Sequence, residues 1–489
     1  MKYSLPFRAF FGFAVLIFIA NLLLTNDYTT LWNGAETDLL LAAAGHGNTT
    51  SLLPLLKMKS IYETVGFQAF VLRLPAVCIT LLSLFGFWFF GKKVFGERTV
   101  LLTVLVLMSS LLLPGLSKLA TADAWLFGSH LLSATTLILY LKKPEKKTLS
   151  ICILFVLIGL GANFWATAFF LLPLITYWFF KHPQGRNLPI ALLAIVVLAV
   201  SGGIFAWKGG AASGAVLAPF SVGMPHYLGI TLLGLLPWFA FLPAALLDMF
   251  AKLKRKEELA LLTSGWLLAA LLSFSVSLQA VLAFLIAKQI IKYFDPNYPY
   301  TNWVKTFAAL NIVAAFIGGI VLMLNGFYLL EMQGFRLAMS VGAVYWITAF
   351  IGVVGVYGKN RKMLIGGMAA SGLLLAFFFW TRIAPVMELY RQTPKLLVAA
   401  AKATEKSGDL YLMSESKVAD NILLYARQNF KSVTTMRAKD LESMRPSIND
   451  VILFKSEIPE VIPVSNRARI DTVVVRNETA GIEQWLLLK

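Results

Sequence analysis

Glu36 and Asp38 stand in the stretch LWNGAETDLLLAAAGHGN, which follows an apolar run at 7–25. A carboxylate beside a membrane can act as a general base or hold a cation, and either chemistry needs a water-filled cavity. The same two residues could begin an interfacial helix, because the N-terminal end of a helix dipole favours negative charge. On these residues alone, both interpretations remain open.

Asp123 is the second candidate carboxylate, in the stretch SKLATADAWLFG, where another apolar run begins. Aspartate is a strong N-cap, so this residue could serve only to begin a helix. Lys118 stands five residues earlier and could pair with the carboxylate. The pattern therefore indicates either a helix cap or one part of a site.

Two further residues could ligate a metal ion. Glu63 lies in SIYETVGF and His226 in GMPHYLG, each shortly before an apolar run. A glutamate and a histidine can hold a divalent ion such as Zn²⁺, Mg²⁺ or Mn²⁺, although two ligands from distant loops have little specificity. No Walker A sequence is present, so we expect no nucleotide cofactor and no ATP-driven pump.

Basic residues surround the same loops. Lys57, Lys59 and Arg73 could bind an anionic lipid phosphate, as could Lys118. The alternative is that they are interface anchors, which are common where an apolar run meets the lipid headgroups.

The composition defines the class of protein to which these residues belong. The chain has 489 residues, of which 58% are hydrophobic and 14% charged. Soluble domains are usually about 25% charged, so this is a membrane protein. Its net charge of +18 lies mostly in short loops between apolar runs, a distribution typical of cytoplasmic loops and not of a nucleic-acid-binding face. We expect membrane lipids as partners and no nucleic acid.

Apolar runs and basic clusters together predict about thirteen transmembrane helices within residues 1–382. An odd number places the N-terminus in the cytoplasm and everything after 382 outside, with a long first outer loop at 26–67. The predicted spans are 7–25, 68–90, 99–116, 124–141, 149–163, 165–180, 187–206, 228–249, 259–275, 277–292, 306–328, 338–357 and 364–381.

After residue 382 the composition becomes that of a soluble domain, and residues 383–489 are predicted to form a small α/β domain. Helical patterning covers 399–407 and 416–430. Short strands are predicted at 410–413, 433–436, 451–454, 472–475 and 485–488.

Four local patterns resemble the GT-C glycosyltransferases, in the branch of the protein O-mannosyltransferases and the 4-amino-4-deoxy-L-arabinose lipid A transferase. An acidic group follows the first span in NGAETD. A glutamate and then Arg-Leu-Pro approach the second span in YETVGFQAFVLRLPAV. TADAWL opens the fourth span and Leu235-Leu236-Pro237-Trp238 lies in the eighth. The family's layout of an N-in membrane domain, a long first loop and an outer C-terminal domain also matches.

The resemblance implies a transferase of the bacterial inner membrane. Its donor would be a sugar on a polyprenyl phosphate, and its acceptor a lipid such as lipid A, or a protein, on the periplasmic face. Glu36, Asp38 and Asp123 would then supply the catalytic carboxylates. In the aminoarabinose branch a glutamate and a histidine from outer loops hold a metal, which would correspond to Glu63 and His226 here.

Two other functions stay open. Positions that read Lys-Pro-Pro in the family are Thr64-Val65-Gly66 here, which favours a divergent or non-catalytic member of the fold. A flippase or transporter of polyprenyl-linked sugars is the second alternative. A transporter should show an internal repeat or paired broken helices with charges near the middle of the membrane, and the sequence shows no repeat.

Overall fold

The protein is described from a computed structural model that covers most of the membrane part and five strands near the C-terminus. The described residues are 5–24, 26, 35–43, 51–65, 68–183, 223–384, 393–404, 409–413, 420–430, 432–436, 450–455, 470–476 and 482–488.

The chain is mainly helical up to residue 384. Its α-helices there are, in chain order, α1 (Leu5–Leu24), α2 (Ala35–Ala43), α3 (Leu52–Val65), α4 (Ala69–Phe95), α5 (Glu97–Met108), α6 (Leu112–Leu116), α7 (Asp123–Lys142), α8 (Lys146–Ala162), α9 (Phe164–Lys181), α10 (Met224–Gly234), α11 (Leu242–Lys254), α12 (Glu258–Leu272), α13 (Ser277–Lys292), α14 (Thr301–Tyr357) and α15 (Arg361–Phe378).

These helices confirm the predicted class, a helical membrane protein. Among the described residues, five helices are long and apolar enough to cross a bilayer, and a bent pair makes a sixth candidate. Helices form here because the hydrocarbon offers no partner for backbone groups, which must be satisfied within the segment. Each predicted span falls on a helix or a broken pair of helices, except 187–206, which lies outside the described residues. The chain is a multi-pass membrane protein.

Helix α14 contains two of the predicted spans. The Tyr357 hydroxyl donates to the Lys305 carbonyl at 3.1 Å, and the Trp346 indole donates to the Ala315 carbonyl at 3.1 Å. In a straight helix, residues 305 and 357 would be about 78 Å apart. The chain therefore reverses direction inside this element, in line with the two separate spans predicted at 306–328 and 338–357.

Two predicted spans are interrupted. The span at 99–116 is broken between α5 and α6, and the span at 228–249 bends by 106° between α10 and the segment Trp238–Lys254. Backbone groups freed at such breaks need partners inside a membrane protein. Polar side chains from neighbouring helices supply them: Gln279 donates to the Gly234 carbonyl at 3.0 Å and Asn311 to the Pro237 carbonyl at 2.7 Å.

Helix α15 reaches this broken region through a glycine. A methyl group at Gly372 would overlap the Ser109 carbonyl, whereas none of the atoms described lies within 4 Å of a methyl group at Gly366. We expect Gly372→Ala to destabilise the protein by about 1–3 kcal/mol, because the helices must move apart. The same change at Gly366 should be neutral or slightly stabilising, since alanine favours the helix. Thermal unfolding in detergent compares the two variants, and equal melting temperatures would contradict this packing.

The C-terminal region forms a five-stranded mixed sheet with two helices, which confirms the predicted α/β character. The strand order is β2-β1-β3-β5-β4, with β1, β2 and β3 parallel and β5 antiparallel to both β3 and β4. The elements are α16 (Thr393–Lys402), β1 (Leu410–Met413), α17 (Asp420–Asn429), β2 (Val433–Met436), β3 (Val451–Lys455), β4 (Ile470–Arg476) and β5 (Ile482–Leu488).

All five strands lie where the sequence predicted them, with ends that differ by up to three residues. Leu410 and Leu412 alternate with Tyr411, so the two leucines face a core that they share with Leu397 and Ala426 of the helices. The first predicted helix, at 399–407, instead begins at Thr393 and ends at Lys402. Helix α17 contacts α2, so the C-terminal region touches the helix that carries Glu36.

Candidate functional site

Glu36 and Arg73 form a buried bidentate ion pair. The Arg73 Nε donates to Glu36 Oε1 at 2.9 Å and its Nη2 donates to Oε2 at 2.9 Å. The two side chains are 1% and 0% exposed. This geometry is the strong form of an arginine–carboxylate contact, with two parallel charge-assisted hydrogen bonds. Glu36 is therefore neither a cap on an exposed helix nor a carboxylate open to a cavity.

The same pair joins four parts of the chain. Glu36 stands on α2 and Arg73 on α4. The Ala120 amide donates to Glu36 Oε1 at 2.7 Å, and Arg73 Nη1 donates to the Asn26 carbonyl at 3.0 Å. The first outer loop predicted from the sequence is thus fastened to the start of the second span and to the connection that precedes α7.

Lys118 lies on that connection and is also buried, at 1% exposure. Its Nζ donates to the Asn21 carbonyl at 2.8 Å and lies 4.6 Å from the centre of the Trp380 ring. Burial, and to a smaller extent the positive charge of Arg73, lower the pKa of Lys118 to about 7. The side chain therefore changes its charge near neutral pH, unlike an exposed lysine.

Asp123 begins α7 but does not cap it. The N-cap residue is Ala122, and no side chain makes a capping hydrogen bond there. The Asp123 carboxylate instead accepts a hydrogen bond from the Thr121 hydroxyl at 3.0 Å, and the Asp123 amide donates to the same hydroxyl oxygen at 3.4 Å. We call Glu36, Arg73, Lys118, Thr121 and Asp123 the junction cluster, because the connection into α7 brings them together.

Helix α3 places its two lysines differently. Lys57 lines a small cleft together with Ala120 and Thr121 of the connection. Lys59, two residues further along, projects in another direction and lies 3.9 Å from the exposed carboxylate of Glu63. Of these two lysines, Lys57 is the one that lies beside the junction cluster.

The candidate metal ligands Glu63 and His226 are both exposed. Helix α3 packs on α2, α4 and α8, whereas α10, which carries His226, packs on α6 and α13. Within the part of the chain that is described, no group of three or more His, Cys, Asp or Glu residues could hold a metal ion. The two candidate ligands thus lie on helices that pack on different neighbours, and the metal site stays a prediction.

Sequence reasoning did not single out five partners in this region. Three of them are backbone groups, the Asn21 and Asn26 carbonyls and the Ala120 amide, and the Trp380 ring comes from a distant helix, so none of these four carries a recognisable sequence signal. Thr121 was visible as the first residue of the Thr-x-Asp pattern. The side chain of Asp38 lies outside the described residues, although its backbone belongs to α2.

His130 belongs to a second buried polar group, two helical turns beyond Asp123 on α7. Its two ring nitrogens lie 3.1 Å from the hydroxyls of Ser277 and Thr167, and its ring stacks on Phe170 at 4.1 Å. Both nitrogens therefore have partners on neighbouring helices. This arrangement holds α7, α9 and α13 together, and we assign His130 no chemical role.

Comparison with known proteins agrees with this architecture. Residues 52–207 match the family model of dolichyl-phosphate-mannose-protein mannosyltransferases. The fold is similar to ArnT from Cupriavidus metallidurans bound to undecaprenyl phosphate, with a TM-score of 0.65 and 13% identity over 98% of this chain and 97% of that chain. The apo state of that ArnT gives a TM-score of 0.61 at 12% identity with the same coverage. No curated protein sequence matches the chain.

The structure is that of a multi-pass membrane protein with a GT-C-type fold, similar to ArnT. Over residues 52–207 the chain is also similar to the protein mannosyltransferases. The family resemblance deduced from four short sequence patterns is therefore confirmed.

Proposed function

We propose that the protein transfers a sugar from a polyprenyl phosphate to a lipid or protein acceptor at the periplasmic face of the inner membrane. The observation that carries the proposal is the junction cluster, in which an aspartate not used for capping begins α7, directly after the short connection that carries a buried lysine. The fold shared with an ArnT that binds undecaprenyl phosphate supports this donor class. Residues 1–382 would form the membrane domain and 383–489 an outer domain.

The reaction needs a base and a cation. In the proposed step, the acceptor hydroxyl gives its proton to the Asp123 carboxylate and its oxygen forms a bond to the anomeric carbon of the sugar. The bond from that carbon to the phosphate oxygen breaks, and its electron pair leaves with the polyprenyl phosphate. A positioned carboxylate contributes through proton transfer, and cations stabilise the charge on the departing phosphate.

The observed contacts suggest which of the predicted residues position the site and which bind the donor phosphate. Glu36 has both oxygens engaged by Arg73 and the Ala120 amide, so we propose that this pair positions the connection and does not react. Lys118 and Lys57 are the cations that we assign to the donor phosphate, because one lies in the junction cluster and the other lines the cleft beside it. Lys59 is assigned no part, since it lies beside Glu63.

Mass spectrometry of lipid A and of envelope glycoproteins tests the proposal in cells with and without the gene. We expect a glycosyl-sized mass increment that disappears on deletion and returns on complementation, with the polyprenyl-phosphate sugar accumulating in the deletion strain. Unchanged masses with the lipid-linked sugar retained on one leaflet would indicate a flippase. No change in either pool would favour a non-catalytic member of the fold.

A further inference from the structure

The last apolar helix ends in an unusual way close to the junction cluster. After Phe378 the chain continues as a π-helical turn, Phe379–Ile383, in which hydrogen bonds skip one residue more than in an α-helix. Such turns cost stability and are frequent at functional sites, because the extra residue redirects the side chains that follow. Here the turn carries Trp380, which is 6% exposed.

The Trp380 ring faces the Lys118 ammonium at 4.6 Å from the ring centre, within the range of a cation–π contact. The indole face attracts a cation and has no comparable attraction for a neutral amine. The contact therefore favours the charged form of Lys118, whereas burial and the Arg73 guanidinium oppose that form. A tryptophan from the end of the membrane domain thus acts on a lysine more than 250 residues earlier in the sequence.

We propose that Trp380 is a positioning residue for the donor site, holding the Lys118 ammonium charged and oriented toward the phosphate of a polyprenyl phosphate. This inference rests on the proposed function and deepens it. Trp380 itself does not react, and its contribution passes through Lys118. The aromatic face is needed, so a phenylalanine should retain part of the effect and a leucine should lose it.

The charged groups around Lys118 define the expected pH dependence. Two neighbouring elements contribute an ion pair, Arg73 on α4 and Glu36 on α2. Helix α1 contributes the neutral Asn21 carbonyl, and the π-helical turn contributes one charged residue, Arg382. Since the pKa of Lys118 lies near 7, phosphate binding should weaken as the pH rises above 7 and the amine loses its proton. Above pH 7 the lipid phosphate is already fully ionised, its second pKa being about 6.

The experiment measures the affinity of undecaprenyl phosphate for the purified full-length protein between pH 5 and pH 9, and each variant is compared with the wild type at the same pH. We expect Trp380→Leu to displace the affinity curve by about one pH unit toward acid, so that it binds about tenfold more weakly than the wild type at pH 9 and almost equally well at pH 5. Trp380→Phe should shift the curve less. Lys118→Arg should flatten it, because arginine stays charged throughout this range. Trp303→Leu, at an exposed tryptophan of α14, is the matched control and should superpose on the wild type.

The outcomes separate the two proposals. Suppose that the wild type binds undecaprenyl phosphate, and that Trp380→Leu either follows its curve or binds more weakly by the same factor at every pH. Trp380 then has no role through Lys118, so the inference is wrong while the proposed function stands. If the wild type shows no affinity at any pH, the proposed function is wrong and the inference falls with it. Melting temperatures of all variants identify any loss that comes from misfolding.

Discussion

Arg73→Ala is expected to destabilise the protein so strongly that little of it is folded in the membrane. The change would leave the Glu36 carboxylate buried with the Ala120 amide and no arginine, and breaking a buried ion pair from one side costs about 3–5 kcal/mol. Whole domains are stable by only about 5–15 kcal/mol, so the loss is a large fraction of the total. Thermal unfolding followed by size-exclusion chromatography in detergent measures the effect.

The exposed pair between Lys59 and Glu63 is the matched control. It also joins a cation to a carboxylate, but its side chains are 55% and 60% exposed and its atoms 3.9 Å apart. Glu63→Gln should therefore change the free energy of unfolding by less than about 1 kcal/mol. A similar loss in both variants would show that burial does not determine the outcome.

A double substitution separates the buried charge from the packing. Glu36→Leu combined with Arg73→Met removes both charges together, and apolar replacements of buried ion pairs are often close to neutral. We expect the double variant to be more stable than Arg73→Ala alone. If its loss equals or exceeds that of the single variant, the side chains matter for their hydrogen bonds to Ala120 and Asn26 and not for their charge balance.

Asp123→Asn is expected to lower the rate of sugar transfer by about 10²–10⁴-fold while the protein folds normally. Asparagine keeps an oxygen that can accept the Thr121 hydroxyl, so the local structure should persist, but it cannot take a proton from the acceptor. The effect should fall on kcat and leave the KM for the polyprenyl-phosphate sugar nearly unchanged, because the base acts only in the chemical step. Transfer assays with purified protein measure both constants.

Asp295→Asn serves as the control, at an exposed aspartate in the connection between α13 and α14. It should transfer sugar at the wild-type rate. Asp38→Asn tests the remaining predicted carboxylate, whose side chain lies outside the described residues. If Asp123→Asn stays within about threefold of the wild type and Asp38→Asn or a folded Glu36→Gln variant is inactive, the base is in the first loop and our assignment is wrong.

The sequence by itself determined where the helices and strands lie and which family the chain resembles. Apolar runs of spanning length and short alternating strands are local signals, because each depends on which solvent a segment must face and on the period of its side chains. The helices over the described spans and all five strands therefore lie close to their predicted positions. The four patterns that indicated the GT-C superfamily are short stretches that also needed no tertiary contact.

The tertiary structure alone decided what the polar residues do. Glu36 looked like a cap or a base, and only the folding of α4 against α2 brings Arg73 close enough to engage both of its oxygens. Asp123 looked like an N-cap, whereas the helix begins at Asp123 itself, and its carboxylate accepts a hydrogen bond from the Thr121 hydroxyl. These contacts join residues distant in sequence or depend on the dihedral angles of one residue, so no local pattern encodes them.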